Sequence, residues 1–410
     1  MDKTHGNSAS VLTALLSVLF VVNPLSHMAQ NLLGLSGAIT YYVGYLSWLS
    51  LFIYFFSRKI KVRRRECILA GILLLTFVLG ACLWGERCLG GTVQDLHSGV
   101  FVCVAILVTM AVKPSVTIRE KQLMGLLRII VLFGLFFSLY AMIVQRENLM
   151  GVLRNQNKFV NAWKYTSLFS QRNVFAEYCY LSSFAACFLS VRTKKWRYFL
   201  YLLIFAFQVV ITNSRAGLLG IVGLLGLTIC FRRKKKGIFA VLAILIAVIA
   251  AYTLDFPGIL LERFSHISSR GMDSGQERLA NWRLCVEYVW ENHGYLFGFG
   301  NNSVSLYLLP RVGYGSSHNA YIDAFFNGGM VYVSILLYLL WQCFREIRAH
   351  KSDGDDSFYC VWRAGFLSWA VYCMFEAGIS LFTANFFSVP ITVLLALIPR
   401  LYKEAKSLNT

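Results

Sequence analysis

Residues 123–144 read Leu123-Met-Gly-Leu-Leu-Arg-Ile-Ile-Val-Leu-Phe-Gly-Leu-Phe-Phe-Ser-Leu-Tyr-Ala-Met-Ile-Val144, a run of 22 residues in which Arg128 is the only charged one. At a rise of about 1.5 Å per residue, a helix of this length crosses the roughly 30 Å hydrocarbon core of a bilayer. Twelve apolar runs of 15 to 24 residues occur along the chain, of which the fourth and seventh are short for a span, at 9–25, 38–56, 67–84, 98–112, 123–144, 174–191, 198–213, 216–231, 237–254, 320–343, 358–376 and 383–399. The sequence therefore predicts an all-α polytopic membrane protein with about 12 transmembrane helices.

The composition leads to the same class. Of the 410 residues, 57% are hydrophobic and 14% are charged, whereas a soluble globular domain carries about 25% charged residues. The mean hydropathy is +0.59. A water-soluble globular protein is excluded.

The orientation follows from the basic residues, which give a net charge of +19. They concentrate in alternate loops, at 58–65, 192–197, 232–236 and 400–406. The excess of Lys and Arg in cytoplasmic loops places these runs and both termini in the cytoplasm. Contact with anionic membrane lipids accounts for the runs, so no nucleic-acid binding is assigned. The first apolar run lacks a basic leader beyond Lys3 and a cleavage site, so it is interpreted as an anchor.

This topology divides the chain into three parts. Residues 1–254 hold spans one to nine, residues 255–319 form a long outer loop, and residues 320–410 hold spans ten to twelve and a cytoplasmic tail. A second outer loop, at about 145–173, contains one acid and five basic residues: Glu147, Arg146, Arg154, Lys158, Lys164 and Arg172. Basic residues in an outer loop are unusual, because Lys and Arg normally concentrate in cytoplasmic loops. An anionic ligand at the outer surface is the simplest explanation for them.

The eleven cysteines give no sign of a metal site, because none forms a C-x-x-C pair or has a His at ligand spacing. Cys88 and Cys285 alone fall outside the predicted spans. One optional bridge between them is the most that the sequence allows.

In the long outer loop, helical spacing places Leu279, Trp282, Val286 and Val289 on one face. Arg278 lies on this helix, on a different face from Arg283. The loop closes with Ser317-His318-Asn319, in which Ser317 or Asn319 can cap the tenth span.

His318 and Arg215 each allow two interpretations. His318 at the mouth of a span is either an interfacial side chain or an acid or base. Arg215 at the outer start of the eighth span either reaches the lipid headgroups or serves a functional site.

Three separated motifs resemble the O-antigen ligase and O-antigen polymerase family. They are Ser214-Arg215 at a span start, G-x-E-R-L-x-x-W from Gly275 to Trp282, and Gly298-Phe-Gly300 followed by Ser317-His-Asn319 and Asn327-Gly-Gly329. Members of this family are polytopic bacterial glycosyltransferases of the C-type membrane fold, and they use undecaprenyl-pyrophosphate-linked glycans. The motifs cover roughly residues 169–344, and the topology resembles the family over the whole chain.

The resemblance implies that Arg215 and Arg278 hold the donor pyrophosphate and that His318 is the catalytic base. As further substrate-binding residues we predict Arg283, Asn319, Arg172, Lys158 and Arg154. Guanidinium groups suit this task because they bind phosphate oxygens bidentately. The first outer loop, 26–37, contains no Asp or Glu that could bind a metal ion, so we expect a metal-independent transfer that needs no cofactor. A single direct attack would invert the anomeric configuration.

The implied partners are an undecaprenyl-pyrophosphate-linked donor, a glycan or lipid A core acceptor, and a chain-length regulator protein. The implied location is the bacterial inner membrane, with the active site in the periplasm. The short His318 loop favours a polymerase that joins repeat units, and a ligase acting on lipid A core is the alternative. A lipid-linked glycan transporter also fits twelve spans, although we find no internal repeat of the kind that transporters show.

Overall fold

The structure, a computed structural model, describes most of the chain. It covers residues 3–36, 38–57, 61–89, 96–113, 116–154, 158–233, 277–313, 315–350, 356–378, 380–383 and 387–402. Within these ranges the secondary structure is helical and no strand is present. This confirms the predicted all-α polytopic class.

The helices are numbered here in chain order. They are α1 Lys3–Leu33, α2 Ala38–Ser57, α3 Arg64–Gly85, α4 Glu86–Leu89, α5 Leu96–Ala111, α6 Glu120–Val144, α7 Arg146–Leu153, α8 Lys158–Lys164, α9 Arg172–Thr193, α10 Trp196–Ile211, α11 Arg215–Arg233, α12 277–291, α13 Ser303–Val312, α14 Ala320–Arg348, α15 Ser357–Tyr372 and α16 Ser388–Leu401.

Eleven of the twelve predicted spans coincide with helices of the described residues. Seven helices are long and apolar enough to cross a membrane, namely α1, α2, α3, α6, α9, α11 and α14. The apolar helices α5, α10 and α16 are shorter, and α15 has 16 residues. The ninth predicted span, 237–254, and the boundary at 254/255 lie outside the described residues.

The centre of the bundle is α9. Of the apolar 18-residue stretch of α9, 83% is buried inside the protein, whereas the corresponding stretches of the other six long helices are 33–50% buried. It packs against α6, α10, α11 and α15. The first residues of α9 therefore project from the middle of the bundle at its outer end.

Segments that were predicted on the same side of the membrane contact one another. At the outer end, Asn31 Nδ2 donates to the carbonyl of Phe169 over 2.9 Å. At the opposite end, the Arg63 guanidinium donates to Glu346 Oε1 over 3.0 Å. The two ends of the bundle are therefore assigned consistently, and which end faces the cytoplasm remains a prediction.

The glycine motifs attach the outer loop to α14. The chain at 295–300 runs beside a kink in α14, where Phe299 N donates to Phe326 O over 3.1 Å and Met330 N donates to Tyr295 O over 2.8 Å. Gly298 and Gly329 have φ values of +64° and +58°, and a Cβ on either would lie within 2.5 Å of facing backbone. Only glycine fits such a left-handed, close approach, so these motifs serve the fold.

The apolar face predicted for the outer helix is wrong in part. Leu279 is 60% exposed, whereas Cys285 and Val289 are fully buried beside Asn281. Spacing of four residues joins Asn281, Cys285 and Val289 on one face. The core that they join also contains Phe299, Tyr307 and Phe326, so aromatic residues of later segments select this face.

Candidate functional site

Arg215 begins α11, as the sequence predicted. It follows Asn213, whose φ is +53°, and Ser214, whose hydroxyl accepts from Gly217 N over 3.4 Å. The turn from α10 into α11 therefore ends at a serine cap, with the Arg215 side chain exposed at the outer end of the bundle.

Arg278 lies near the start of the described part of α12, and its side chain contacts the connection after α15. Its Nη1 donates to the carbonyl of Phe375 over 2.8 Å. Phe375 immediately precedes Glu376 in the connection after α15. One nitrogen of the guanidinium is thus anchored, which fixes the group and leaves other donors for a ligand.

Arg172 is the third arginine of this region. Its Nη1 lies 3.4 Å from the carbonyl of Thr212, and its guanidinium sits over the Trp163 ring, 5.1 Å from the centroid. The side chain is held by an aromatic ring, by a carbonyl and by its place at the start of the central helix.

These three arginines, Arg172, Arg215 and Arg278, form what we call the arginine cluster. Arg172 experiences electrostatic repulsion from the charges of Arg215 and Arg278, and Arg215 experiences repulsion from the charge of Arg278. The positive charges of these three guanidinium groups, from α9, α11 and α12, repel one another, and an anion bound among them would offset that repulsion. The cluster therefore has the charge and donors of a phosphate site.

His318 lies immediately before the cap of α14, in a left-handed backbone conformation with φ +57°. This conformation is uncommon for a residue other than glycine, although Asn, Asp and His adopt it more often than most. The His318 side chain is 23% exposed, and its Nδ1 lies 3.4 Å from Glu376 Oε1. The imidazole is partly open to a substrate and is paired with a carboxylate.

Glu376 connects His318 to the arginine cluster. Its other oxygen, Oε2, accepts from Asn173 Nδ2 over 3.3 Å. Burial raises the pKa of the Glu376 carboxyl, but the hydrogen bond and charge of His318 and the charge of Arg278 outweigh it, so the pKa is lowered. Glu376 therefore stays ionised at neutral pH.

Glu376 also marks a difference from the predicted span boundary. Helix α15 ends at Tyr372, four residues before the predicted end of the eleventh span. Just past this end, the carbonyl of Cys373 accepts from Ala320 N over 2.9 Å, which joins the end of α15 to the start of α14. This joint places Glu376 in the outer connection, beside His318.

Asn319 caps α14. Its Oδ1 accepts from the backbone N–H groups of Tyr321 and Ile322 over 3.0 and 3.2 Å. The sequence named Asn319 both as a cap and as a substrate-binding residue. In the structure its side-chain oxygen is engaged at the helix start, next to His318.

Two of the other predicted binding residues, Arg283 and Arg154, are not brought together with this group. Arg283 points away from the membrane domain, with its side chain 79% exposed and its Nε 2.6 Å from Glu287 Oε1. Arg154 is exposed just after α7, and Lys158 begins α8. Among the further binding residues with described side chains, the structure gathers Arg172 and Asn319 around the centre.

The described ranges contain no group of three or more His, Cys, Asp or Glu side chains that could hold a metal ion. Cys88 and Cys285 are both free thiols, and Cys285 is buried. Burial raises the pKa of the Cys285 thiol, so this group is a poor nucleophile.

Residues 200–339 match the family described as O-antigen ligase. The matched range includes Arg215, Arg278 and His318, whereas Arg172 and Glu376 lie outside it. This match confirms the assignment to the O-antigen ligase and polymerase family that the three motifs predicted. No curated protein matches the chain. The chain is thus an integral membrane protein in which residues 200–339 are similar to the O-antigen ligase family.

Proposed function

From this family and from the site geometry, we propose that the protein transfers a glycan from undecaprenyl pyrophosphate to a hydroxyl acceptor. The observation that carries the proposal is the pairing of His318 with Glu376, 3.4 Å apart, beside an arginine whose charge acts on the same carboxylate. One centre thus combines a base with an anion site. The two together are what glycosyl transfer from a pyrophosphate requires.

The arginine cluster is proposed to hold the donor pyrophosphate. When the bond between the anomeric carbon and the phosphate oxygen breaks, the electron pair moves onto the leaving pyrophosphate. Arg172, Arg215 and Arg278 come from three different helices, so they can surround this growing negative charge. Charge stabilisation of this kind lowers the barrier because the donors are fixed before the reaction. Arginines in this place support a transfer that requires no metal ion.

His318 is proposed to take the acceptor proton. Nδ1 faces Glu376 Oε1, and we assign the proton transfer from the acceptor hydroxyl to the other ring nitrogen, Nε2. The acceptor oxygen attacks the anomeric carbon as its proton passes to Nε2, and the pyrophosphate leaves from the opposite side. A single displacement of this kind inverts the anomeric configuration. Glu376 stabilises the imidazolium that forms.

For the acceptor we propose a second lipid-linked chain, so that the protein acts as an O-antigen polymerase. A ligase that uses lipid A core is the alternative, and the description of the matched family names that activity. Both reactions use the same donor site and base. In either case the site would face the periplasm from the inner membrane, and a chain-length regulator would be a partner of the polymerase.

The first test is transfer itself. Purified protein is incubated with a lipid-linked oligosaccharide and an acceptor, and the products are resolved by mass. A longer glycan on an acceptor, with release of undecaprenyl pyrophosphate, supports the proposal. Movement of intact donor across a vesicle membrane without any transfer would replace it with the transporter alternative.

The second test separates polymerase from ligase. In a deletion strain, the loss of a polymerase leaves single repeat units on the lipopolysaccharide core. The loss of a ligase leaves bare core, with polymer remaining on undecaprenyl pyrophosphate. The first pattern supports our proposal for the acceptor, and the second assigns the lipid A core instead.

A further inference from the structure

Ser317, the residue before His318, is fixed by bonds from two directions. Asp323 Oδ1 accepts from Ser317 N over 2.9 Å and from Ser317 Oγ over 2.5 Å. The carbonyl of Ser317 accepts from Trp282 Nε1 over 2.9 Å. Ser317 itself is fully buried. Its N–H, its hydroxyl and its carbonyl are therefore all engaged.

These bonds determine the backbone on which His318 sits. The Ser317 hydroxyl oxygen also accepts from Asn319 N over 3.2 Å, which closes a short loop around His318. A side chain in the left-handed region costs free energy, and such conformations persist where the surroundings over-determine them. Asp323 and Trp282 supply that constraint from α14 and α12.

Trp282 also links the base to the arginine cluster. Trp282 lies four positions after Arg278 on α12, so the two side chains share one face of the helix. Arg278 contacts the Phe375 carbonyl beside Glu376, and Trp282 contacts the Ser317 carbonyl beside His318. One helical turn of α12 therefore touches both members of the His318–Glu376 pair through their neighbours.

We propose that Asp323 and Trp282 are positioning residues, which hold Ser317 and through it fix the His318 imidazole relative to Glu376 and Arg278. This inference rests on the proposed function, because it assigns the pair a role in the transfer step. Neither residue touches the substrate in this account. A displacement of reacting groups by about 1 Å can cost about 10²-fold in rate, so small movements of Ser317 have measurable effects.

A purely structural role makes a different prediction. An acid in the first turn of a helix stabilises it through the helix dipole, and a tryptophan can simply fill space. In that case the substitutions would lower the folded fraction, and the molecules that fold would keep their rate. The two roles are therefore separable by measurements normalised to folded protein.

The variants are chosen to remove single bonds. Trp282→Phe keeps an aromatic ring and loses only the N–H donor. Asp323→Ala removes the acceptor, while Asp323→Asn keeps an oxygen at the position that receives both bonds from Ser317. Trp290→Phe is the matched control, because Trp290 is on the same helix and is 57% exposed. If Asp323→Ala does not fold, Trp282→Phe and Asp323→Asn still decide the question.

The experiment measures single-turnover transfer at saturating lipid-linked donor, donor affinity, and the carbethoxylation rate of His318 by mass spectrometry. We expect Trp282→Phe and Asp323→Ala to lose about 10- to 100-fold in rate with little change in donor affinity. Both should alter the His318 modification rate, and Asp323→Asn should recover most of each loss. Trp290→Phe should match the wild type.

Two results would overturn the inference. One is a Trp282→Phe variant with wild-type turnover and wild-type His318 reactivity. The other is an equal loss of donor affinity and rate in both variants, which would make these residues part of the donor site. If the wild type transfers no glycan, the proposed function fails, and the His318 modification rates still decide whether the two residues position the ring.

Discussion

His318 Nδ1 lies 3.4 Å from Glu376 Oε1, although the two residues are 58 positions apart in the chain. One precedes the cap of α14 and the other follows the end of α15. Their meeting depends on the bond from Ala320 N to the Cys373 carbonyl, which joins these two helix ends. The pair therefore exists because the outer ends of α14 and α15 are packed together.

Loss of either central arginine should strongly reduce transfer. We expect Arg215→Ala and Arg278→Ala to lower the transfer rate by about 10²–10³-fold, as does the loss of a donor to a developing oxyanion. Lysine should restore only part of the rate, because it cannot bind two phosphate oxygens in a fork. The measurement is turnover per mole of protein verified as folded in the membrane. A fully active alanine variant would show that the arginine concerned is a headgroup anchor.

Arg172 should matter more than the basic residues nearby. Its guanidinium is held by Trp163 and the Thr212 carbonyl and shares the field of Arg215 and Arg278. Arg172→Ala should weaken binding of the lipid-linked donor by at least about tenfold, a loss of about 1.4 kcal/mol of binding free energy. Arg154→Ala, at an exposed position, is the control and should change affinity little. Equal effects of both substitutions would favour a diffuse attraction of the donor to the outer surface.

The sequence was sufficient for features that depend on local signals. The helices α6 and α14 follow from hydropathy, and Asn319 was one of the two caps that the sequence allowed for α14. The meeting of Asn173 with Glu376 could not be predicted, because 203 positions separate them and no local pattern encodes their contact. The one available signal for Glu376 was an ionisable residue inside a predicted span, which is a functional hypothesis by default.

The predictions for the outer helix and for Arg172 show the same limit. Hydrophobicity favoured Leu279 over Asn281 for the buried face. The buried face is instead selected by aromatic residues that lie later in the chain, between Phe299 and Phe326. Arg172 belonged to a run of basic residues that composition alone could not rank. Packing around α9 distinguishes it from Arg154.

The Glu376 carboxylate should keep its charge over the whole pH range of the transfer assay. Its pKa is lowered in the folded protein, so its charge contributes to stability above its ordinary pKa of about 4.5, and this contribution is lost as the pH falls through the lower folded value. Between pH 5 and 9 Glu376 therefore stays ionised.

Glu376→Gln should reduce the plateau rate on the order of 10²-fold, because the imidazolium that forms during transfer then lacks a neighbouring carboxylate. The measurement is the single-turnover rate against pH. An unchanged profile would remove Glu376 from the reaction.

The topology can be tested with two exposed positions at opposite ends of the bundle. Arg283 has a side chain that is 79% exposed on α12, and Lys195 is exposed between α9 and α10. After replacement of the reactive native thiols, Arg283→Cys should react with a membrane-impermeant reagent in intact spheroplasts, and Lys195→Cys should react only after lysis. The reverse pattern would invert the assigned orientation.

The central claim is that His318 takes the proton from the acceptor hydroxyl. The most direct measurement is single-turnover transfer by purified wild type and His318→Ala with saturating lipid-linked donor, normalised to folded protein, between pH 5 and 9. We predict that His318→Ala loses about two to four orders of magnitude in rate, keeps its donor affinity, and no longer shows the acid limb of the wild type. A variant with the wild-type rate, or with the pH dependence of the wild type, would contradict the account.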